Sequence, residues 1–355
     1  MINSRAFSYQ RRVLGAYTFG RHHSALSFWH ERPCVNPTAF RPGSWAYYMT
    51  FHDKAEYQGP FDAMGVPRLD YMGDTGIQYN PIAVAQYGLA WWNRTDGKMG
   101  PDSDAAQKVK ACADWLVENL ETVGNGNRAW THRFDWRYYR TLKAPWYSGL
   151  AQGQGISLLV RAFLMTGDFR YFESAMEAWK LFMVPWTDGG VVFPDSDTGD
   201  LWIEEYLTRP PTHILNGMIW ALWGVRDWKR LLDDILEGGI ISAHTVNIRK
   251  DGPILRSCRD AAADLWEKGI RTLERNLRRY DTGYWSVYDL APLPMKNPAS
   301  AFYHSLHIVQ LDVMHRLTGS GVFAQYRDRW TLFSKKFVNR LAAVATKLLF
   351  KALFY

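Results

Sequence analysis

Glu204, Glu205 and Tyr206 stand together just ahead of Pro210, Pro211 and a long apolar run that ends near Trp228. Carboxylates and a phenol are proton-handling groups, with free pKa values of about 4.3 and about 10. Either serves well near neutrality only where its surroundings move that value. The run beyond predicts a helix from Thr212 to Trp228, because Leu215, Met218, Ile219, Leu222 and Trp223 recur at threes and fours. Thr212 is placed to cap it, and the prolines suit its approach rather than its interior. The acids and the phenol then sit on a loop feeding a buried helix, a common way to build an active site.

Other potential chemistry is sparser. His304 and His307 lie three apart on a helical run, yet nothing supplies a clear third metal ligand, so a core role is expected and no metal. Cys34, Cys112 and Cys258 are scattered and odd in number, which argues against a disulfide scaffold and for a reducing compartment. No GxGxxG opens a strand-turn-helix unit, and no cofactor is expected. The chain of 355 residues is 47% hydrophobic, enough for an ample core. Its 17 Trp and 19 Tyr suit either that core or a groove that stacks on sugar rings. A net charge of +7 suits a polyanionic partner. Zinc-finger, RNP and P-loop patterns are missing, so an acidic polysaccharide fits better than nucleic acid. With no apolar stretch of about 18 residues and no signal-like N-terminus, a cytoplasmic location is expected.

Several motifs in order resemble one family. The Glu204–Tyr206 run followed by LNGMIWALWGVRD (Leu215–Asp227) resembles the core of the D-glucuronyl C5-epimerases that act on heparosan and heparan-type chains. WYSGLAQGQGISLLVR (Trp146–Arg161), YDTGYWSVYDL (Tyr280–Leu290), YHSLHIVQL (Tyr303–Leu311) and PIAVAQYGL (Pro81–Leu89) are similar to further family segments. The likeness is dense from Asp114 to Trp330. It implies an epimerase that inverts C5 of D-glucuronate to L-iduronate within a heparosan-like polymer, with no cofactor. Such chemistry needs acid–base groups on both faces of the ring and a partner for the charge that develops on the carboxylate.

By the same resemblance, Glu205, Tyr206 and Tyr303 are the catalytic residues: Glu205 and Tyr303 as opposed proton carriers, Tyr206 orienting. Tyr288, Asn216, Tyr147, Gln152 and Tyr280 are implied to touch substrate. Plainer roles stay open: a surface acid for Glu205, a core tyrosine for Tyr303, a satisfied core amide for Asn216, and helix packing for Tyr147, Gln152 and above all Gln154. One departure stands out. The family has an arginine directly after YDL, suited to grip a carboxylate in two places; here the residue is Ala291. Lys296, Arg209 and Arg161 are candidate substitutes. A uronate polysaccharide lyase, or a non-catalytic acidic-glycan-binding protein, would carry similar residues.

The elements that must position these groups follow from spacing and punctuation. Residues 1–80 are rich in Gly and Pro and predict an irregular region with short strands, Tyr47–Phe51 being the best candidate. A helix starts at Pro81 and runs through Trp92, followed by a polar linker over Asn93–Asp104, where animal relatives carry a β-sandwich insert that does not fit here. Helices are then expected around Ala106–Leu120, Gln152–Thr166, Phe169–Phe182, Thr212–Trp228, Ala261–Leu277 and Ser300–Thr318. Alternating buried and amphipathic helices, with the resemblance, imply a mainly α fold, an incomplete (α/α) toroid over residues 81–335. Thr187–Asp200 and Tyr280–Tyr288 are expected to form hairpins at its mouth. A last helix over Trp330–Tyr355 sets Trp330, Phe333, Phe337, Leu341, Val344 and Leu348 on one face, with Lys336, Arg340, Lys347 and Lys351 beside it. That face is expected to pack on the toroid with its lysines solvated, or else to contact a membrane surface. A homodimer is a further open partner.

Overall fold

In a computed structural model of the chain, residues 28–95, 103–238 and 248–354 are described; most of the expected linker and the N-terminal stretch read for a signal lie outside them. The fold is mainly helical. Helices α1 (Pro81–Asn93), α2 (Asp104–Glu118), α3 (Gly149–Thr166), α4 (Phe169–Trp179), α5 (Leu215–Leu236), α6 (Ile248–Asn276), α7 (Ala301–Thr318), α8 (Gly321–Lys335) and α9 (Phe337–Phe354) follow one another. Most begin where a short polar side chain takes up otherwise unpaired N–H groups: Asn80 ahead of Pro81, then Ser103, Ser148, Asp168 and Ser300.

Contacts sort these helices into two layers. α1 packs on α3, α3 on α5, and α5 on α7, while α2, α4, α6 and α8 each pack against the outside of the helix before it. Of the inner helices α1, α3 and α5 are largely buried, α3 continuously from Gly149 to Phe163, while α7 keeps an outer side open, and this is the expected incomplete (α/α) toroid. Trp92 of α1 donates to the Trp45 carbonyl, and His30 packs edge-on against Phe302 of α7. The N-terminal segment thus reaches across from the first inner helix to the last.

Gly153 of the AQGQG run and Gly224 allow two inner helices to approach closely. A Cβ on Gly153 would lie 2.6 Å from the Ala221 Cα, and one on Gly224 would overlap Gly153 itself. α3 and α5 therefore touch backbone to backbone. Further along the pair, Arg161 donates to Asp227 at 2.6 Å, and Tyr48 donates to the other carboxylate oxygen at 2.6 Å. Arg161, Asp227 and Tyr48 are all buried.

Some expectations are corrected. Tyr47–Phe51 is no strand; it has a single bridge, Met49 to Val35. Tyr47, Tyr48, Met49 and Phe51 are all buried, and the two tyrosine rings pack on Trp223 of α5. Aromatic packing and hydrogen bonds between Asn93 and the Tyr47, Met49 and Thr50 backbone hold the segment, which ends in a left-handed Phe51 (φ 51°). α5 starts at Leu215 with the apolar Ile214 at its cap position, so Thr212 does not cap it; the Thr212 and His213 amides donate to Glu204. The single helix expected from Trp330 to Tyr355 is two helices, broken at Lys336 in extended conformation. The break lets α9 return toward α7, and the face that packs is another one: Ala343 and Phe350 are buried, while Phe337, Leu341, Val344 and Leu348 are exposed. Residues 121–147, not read as β-structure, form three short antiparallel pairs: β3 (Glu121–Thr122) with β4 (Arg128–Ala129), β5 (Thr131–His132) with β8 (Trp146–Tyr147), and β6 (Trp136–Arg137) with β7 (Thr141–Leu142). Before α1, β1 (Leu69–Asp70) pairs with β2 (Ile77–Gln78), and at the expected mouth hairpin β9 (Val192–Pro194) pairs with β10 (Leu201–Ile203).

Arg161→Met should strand the Asp227 charge in the core and lower unfolding free energy by about 3–5 kcal/mol. Urea denaturation checks it; a loss within a few tenths would mean that Tyr48 alone satisfies the carboxylate.

Candidate active site

The first two residues after β10 have opposite fates. Glu204 accepts the backbone N–H of His213 at 3.1 Å and the His213 ring nitrogen at 2.5 Å, and its own carbonyl accepts the N–H of Gly149 at 2.8 Å. It therefore ties the loop before α5 to the start of α3. His213 holds a left-handed backbone (φ 49°) and stacks on Trp202 at 4.1 Å. This carboxylate is fully engaged by protein.

Glu205 turns the other way. It is 5% exposed, and its Oε2 has no hydrogen-bond partner. A Cβ on Gly217 would collide with that oxygen, so the glycine in the LNG run makes the room for it. Burial raises the Glu205 pKa to about 8; Asp289 and Glu204 push the same way, and hydrogen bonds from Tyr206 and Tyr288 oppose them. At neutral pH the group is therefore mostly protonated, with a minor fraction ionised and able to accept a proton.

Phenols close around it. Tyr206 packs edge-on against Tyr138 at 4.9 Å and Trp146 at 5.7 Å. Tyr288 packs edge-on against Tyr303 at 4.7 Å, and burial with the Glu205 charge holds its pKa well above the usual range. The Tyr288 carbonyl accepts from Leu215, which locks the SVYDL segment onto the first turn of α5. Ser300 caps α7 and holds the N–H of Tyr303, putting that ring on the helix's first turn, half-buried. Asn216, on the opening turn of α5, is 2% exposed with its Oδ1 unpartnered. The structure thus brings Glu205, Tyr206, Tyr288 and Tyr303 together, with Asn216 beside Gly217 on the same turn.

Three expected substrate contacts are turned to other work. Gln152 is fully buried and exchanges hydrogen bonds with the Trp130 backbone in both directions, at 3.2 Å each. Tyr280 is fully buried and donates to the His213 carbonyl at 2.5 Å. Tyr147 donates to the Gly189 carbonyl at 2.9 Å. Each satisfies a backbone group of the walls. Gln154 bonds Tyr47, as packing requires. His304 and His307 share Ser286 Oγ at 2.8 and 3.1 Å, and burial pushes both toward the neutral form. Among the described residues no three His, Cys, Asp or Glu side chains gather as a metal site.

The substitutes considered for the missing arginine point elsewhere. Arg161 is held by Asp227, about 16 Å along α5 from Asn216. Lys296 donates to the Arg279 carbonyl, and Arg209 lies over the Trp186 ring. The cation that does arrive is Lys347 of α9. It donates to Asn297 Oδ1 at 2.7 Å, with its ammonium 5.8 Å from the Tyr288 ring centre. Asn297 in turn donates to Asp289 at 2.6 Å, and Tyr138 donates to the same oxygen. Burial, with Lys351 nearby, lowers the Lys347 pKa to about 7 despite Asp289. Lys347, Asp289, Asn297 and Tyr138 were not singled out from sequence. Asp289 and Asn297 flank the YDL-Ala291 departure, the one signal that marked this corner; for Lys347 a basic stripe was visible, but not its direction.

A sequence profile of the D-glucuronyl C5-epimerase C-terminus matches residues 125–332. The chain is 33% identical over 223 residues to the D-glucuronyl C5-epimerase of Caenorhabditis elegans, covering 62% of this chain and 34% of that protein. It is 25% identical over 203 residues to an uncharacterized protein of Methanocaldococcus jannaschii, covering 57% of this chain and 56% of that one. The chain thus spans about a third of the length of the first relative and just over half of the second.

The raised Glu205 pKa carries a stability cost with a defined sign. An acid whose pKa is higher folded than unfolded weakens the fold as pH rises from about 4.5 to about 8. Glu205→Gln should therefore gain stability relative to the parent across that window, by ~1.4 kcal/mol for every tenfold difference in proton affinity between the folded and unfolded chain. Urea melts of both proteins at the two ends check this; a constant difference would place the carboxyl in water.

Proposed function

The chain belongs to the D-glucuronyl C5-epimerase C-terminal family, and from that premise we propose that it inverts C5 of glucuronate to iduronate in a heparosan-like acidic polysaccharide. One observation carries the reading: a buried carboxyl, Glu205, poised near neutrality among Tyr206, Tyr288 and Tyr303.

The chemistry runs in two half-steps. A base takes the C5 proton, and the electron pair of the broken C–H bond moves into the carboxylate, leaving a planar enediolate. A proton delivered to the other face rebuilds the C–H bond with inverted configuration. Glu205 and Tyr303 are the two proton carriers. Tyr206 and Tyr288 hydrogen-bond Glu205 and keep its charged form accessible. Tyrosine alone is a weak base at neutral pH, so the carboxyl, at about 8, is the better matched group. The unpartnered amide oxygen of Asn216 offers an acceptor to a sugar hydroxyl. Lys347 supplies the positive charge that the enediolate needs in a site of low dielectric. The net +7 of the chain favours a polyanion.

Incubation with heparosan in heavy water, followed by NMR, tests the reaction. Deuterium at C5 with accumulating iduronate is expected, and the polymer keeps its length. Shortened chains with a 4,5-unsaturated end would instead identify a lyase. Tyr303→Phe removes only the ionisable oxygen and should slow exchange by about 10²–10⁴; exchange at the parental rate would remove Tyr303 from the mechanism.

Lys347 adds a pH signature. An amine with pKa lowered to about 7 is charged below that pH and neutral above it. The apparent KM for polymer should therefore climb as pH passes 7. Lys347→Arg should flatten that climb, and Lys347→Met should keep KM high throughout. Identical KM–pH curves for the parent and Lys347→Met would sink the assignment.

A further inference from the structure

α9 presents two unlike faces. One packs on the protein: Ala343 and Phe350 are buried, Thr346 meets the Tyr284 hydroxyl at 3.2 Å, and Lys347 reaches Asn297. The other face carries Phe337, Val338, Leu341, Val344, Leu348, Leu349 and Leu353, each at least 52% exposed. These are seven of the twelve large hydrophobic side chains exposed among the described residues, so the apolar surface is concentrated here and not scattered. Phe337, Leu341, Val344 and Leu348 are spaced four, three and four, which puts them on one ridge, with Val338, Leu349 and Leu353 beside it. Ala345 and Ala352 fall within the same arc and interrupt it with nothing polar.

Charge says what would cover such a surface. α9 contains no Asp or Glu. Of its cations, Arg340 is exposed beside the apolar ridge, while Lys347 turns inward to Asn297 and Lys351 is half-buried. Lys335, Lys336 and Arg340, at its start, are exposed. A second copy of the chain laid against this face would find no acid on α9 to meet those cations. A sheet of anionic headgroups would meet the cations while the apolar ridge entered the acyl boundary. At 1.5 Å per residue the helix is about 27 Å long. Among the described residues no helix is long and apolar enough to cross a bilayer, which leaves lying in the surface as the geometry available.

We propose that α9 is a membrane-surface helix that docks the protein on a bilayer containing anionic lipid through the Phe337–Leu353 ridge and its flanking cations. The inference is independent of the catalytic reading, since none of the ridge residues contributes to the tyrosine cluster. It has one structural consequence: Lys347 on the opposite face would hold the site at a fixed orientation to the membrane.

Vesicle flotation of the full chain tests it, with phosphatidylcholine vesicles made with and without phosphatidylglycerol. The parent should float with the anionic vesicles and far less with the neutral ones. Leu341→Glu/Leu348→Glu should lower that partition by roughly tenfold or more, with an unchanged circular dichroism spectrum and unchanged exchange activity on soluble polymer. Arg340→Glu should weaken binding to anionic vesicles only. A parent that stays unbound, or a double variant that floats as well as the parent, would overturn the proposal. So would light scattering that finds a dimer in the parent and a monomer in the double variant, because the ridge would then be an interface between copies.

Discussion

A carboxylate removed from water must be matched by donors or take up a proton, and the site turns on applying that constraint twice in succession. Glu204 is matched: two backbone amides and the His213 ring meet it, and the loop before α5 is held by those bonds. Glu205 is left short, with one oxygen unpartnered against Gly217. Because the first acid anchors the loop, the second keeps its place without satisfying itself. An incompletely solvated carboxyl is the one kind that titrates near neutrality.

The close packing of the inner helices α3 and α5 originates in small residues. Gly153 and Gly224 let α3 and α5 meet at their backbones, and Gly217 opens the space that Glu205 fills. The polar groups of the walls are spent on the walls: Gln152 on Trp130, Tyr280 on His213, Tyr147 on Gly189. Motif residues thus hold the walls of the site together through their bonds to the backbone. The loops at the mouth of a helical toroid carry many backbone groups without helical partners, and nearby side chains such as these satisfy some of them.

The missing arginine at position 291 and the arrival of Lys347 belong to one corner. Asp289, Asn297 and Tyr138 form a bonded chain that ends on the ammonium of a helix lying beyond the matched family segment. A lysine on α9 differs from an arginine beside Tyr288 in two respects: it is a point charge without a fork, and its proton leaves within the physiological range. Under the proposed reaction, the electrostatics of the site would respond to pH through two groups at once, one acid raised and one base lowered.

Much of this was legible from residues alone. The helical spacing, the proline that opens α1, and the order of the motifs are local properties, carried by side chains a few positions apart. They were enough for the mainly α fold, and it was the family resemblance of the motifs that put Glu205, Tyr206, Tyr288 and Tyr303 in one set. What they could not carry was direction. Glu204 and Glu205 are identical side chains on adjacent residues, and only the loop they enter separates anchor from proton carrier. Tyr47–Phe51 has the composition of a strand and packs as aromatic filler. α9 reads as a helix with an apolar face, but its break at Lys336 reverses which face meets the protein. The reversal sends Lys347 into the site and leaves the leucine ridge outside. Periodicity names the two faces of a helix; which of them is buried depends on what the rest of the chain places alongside.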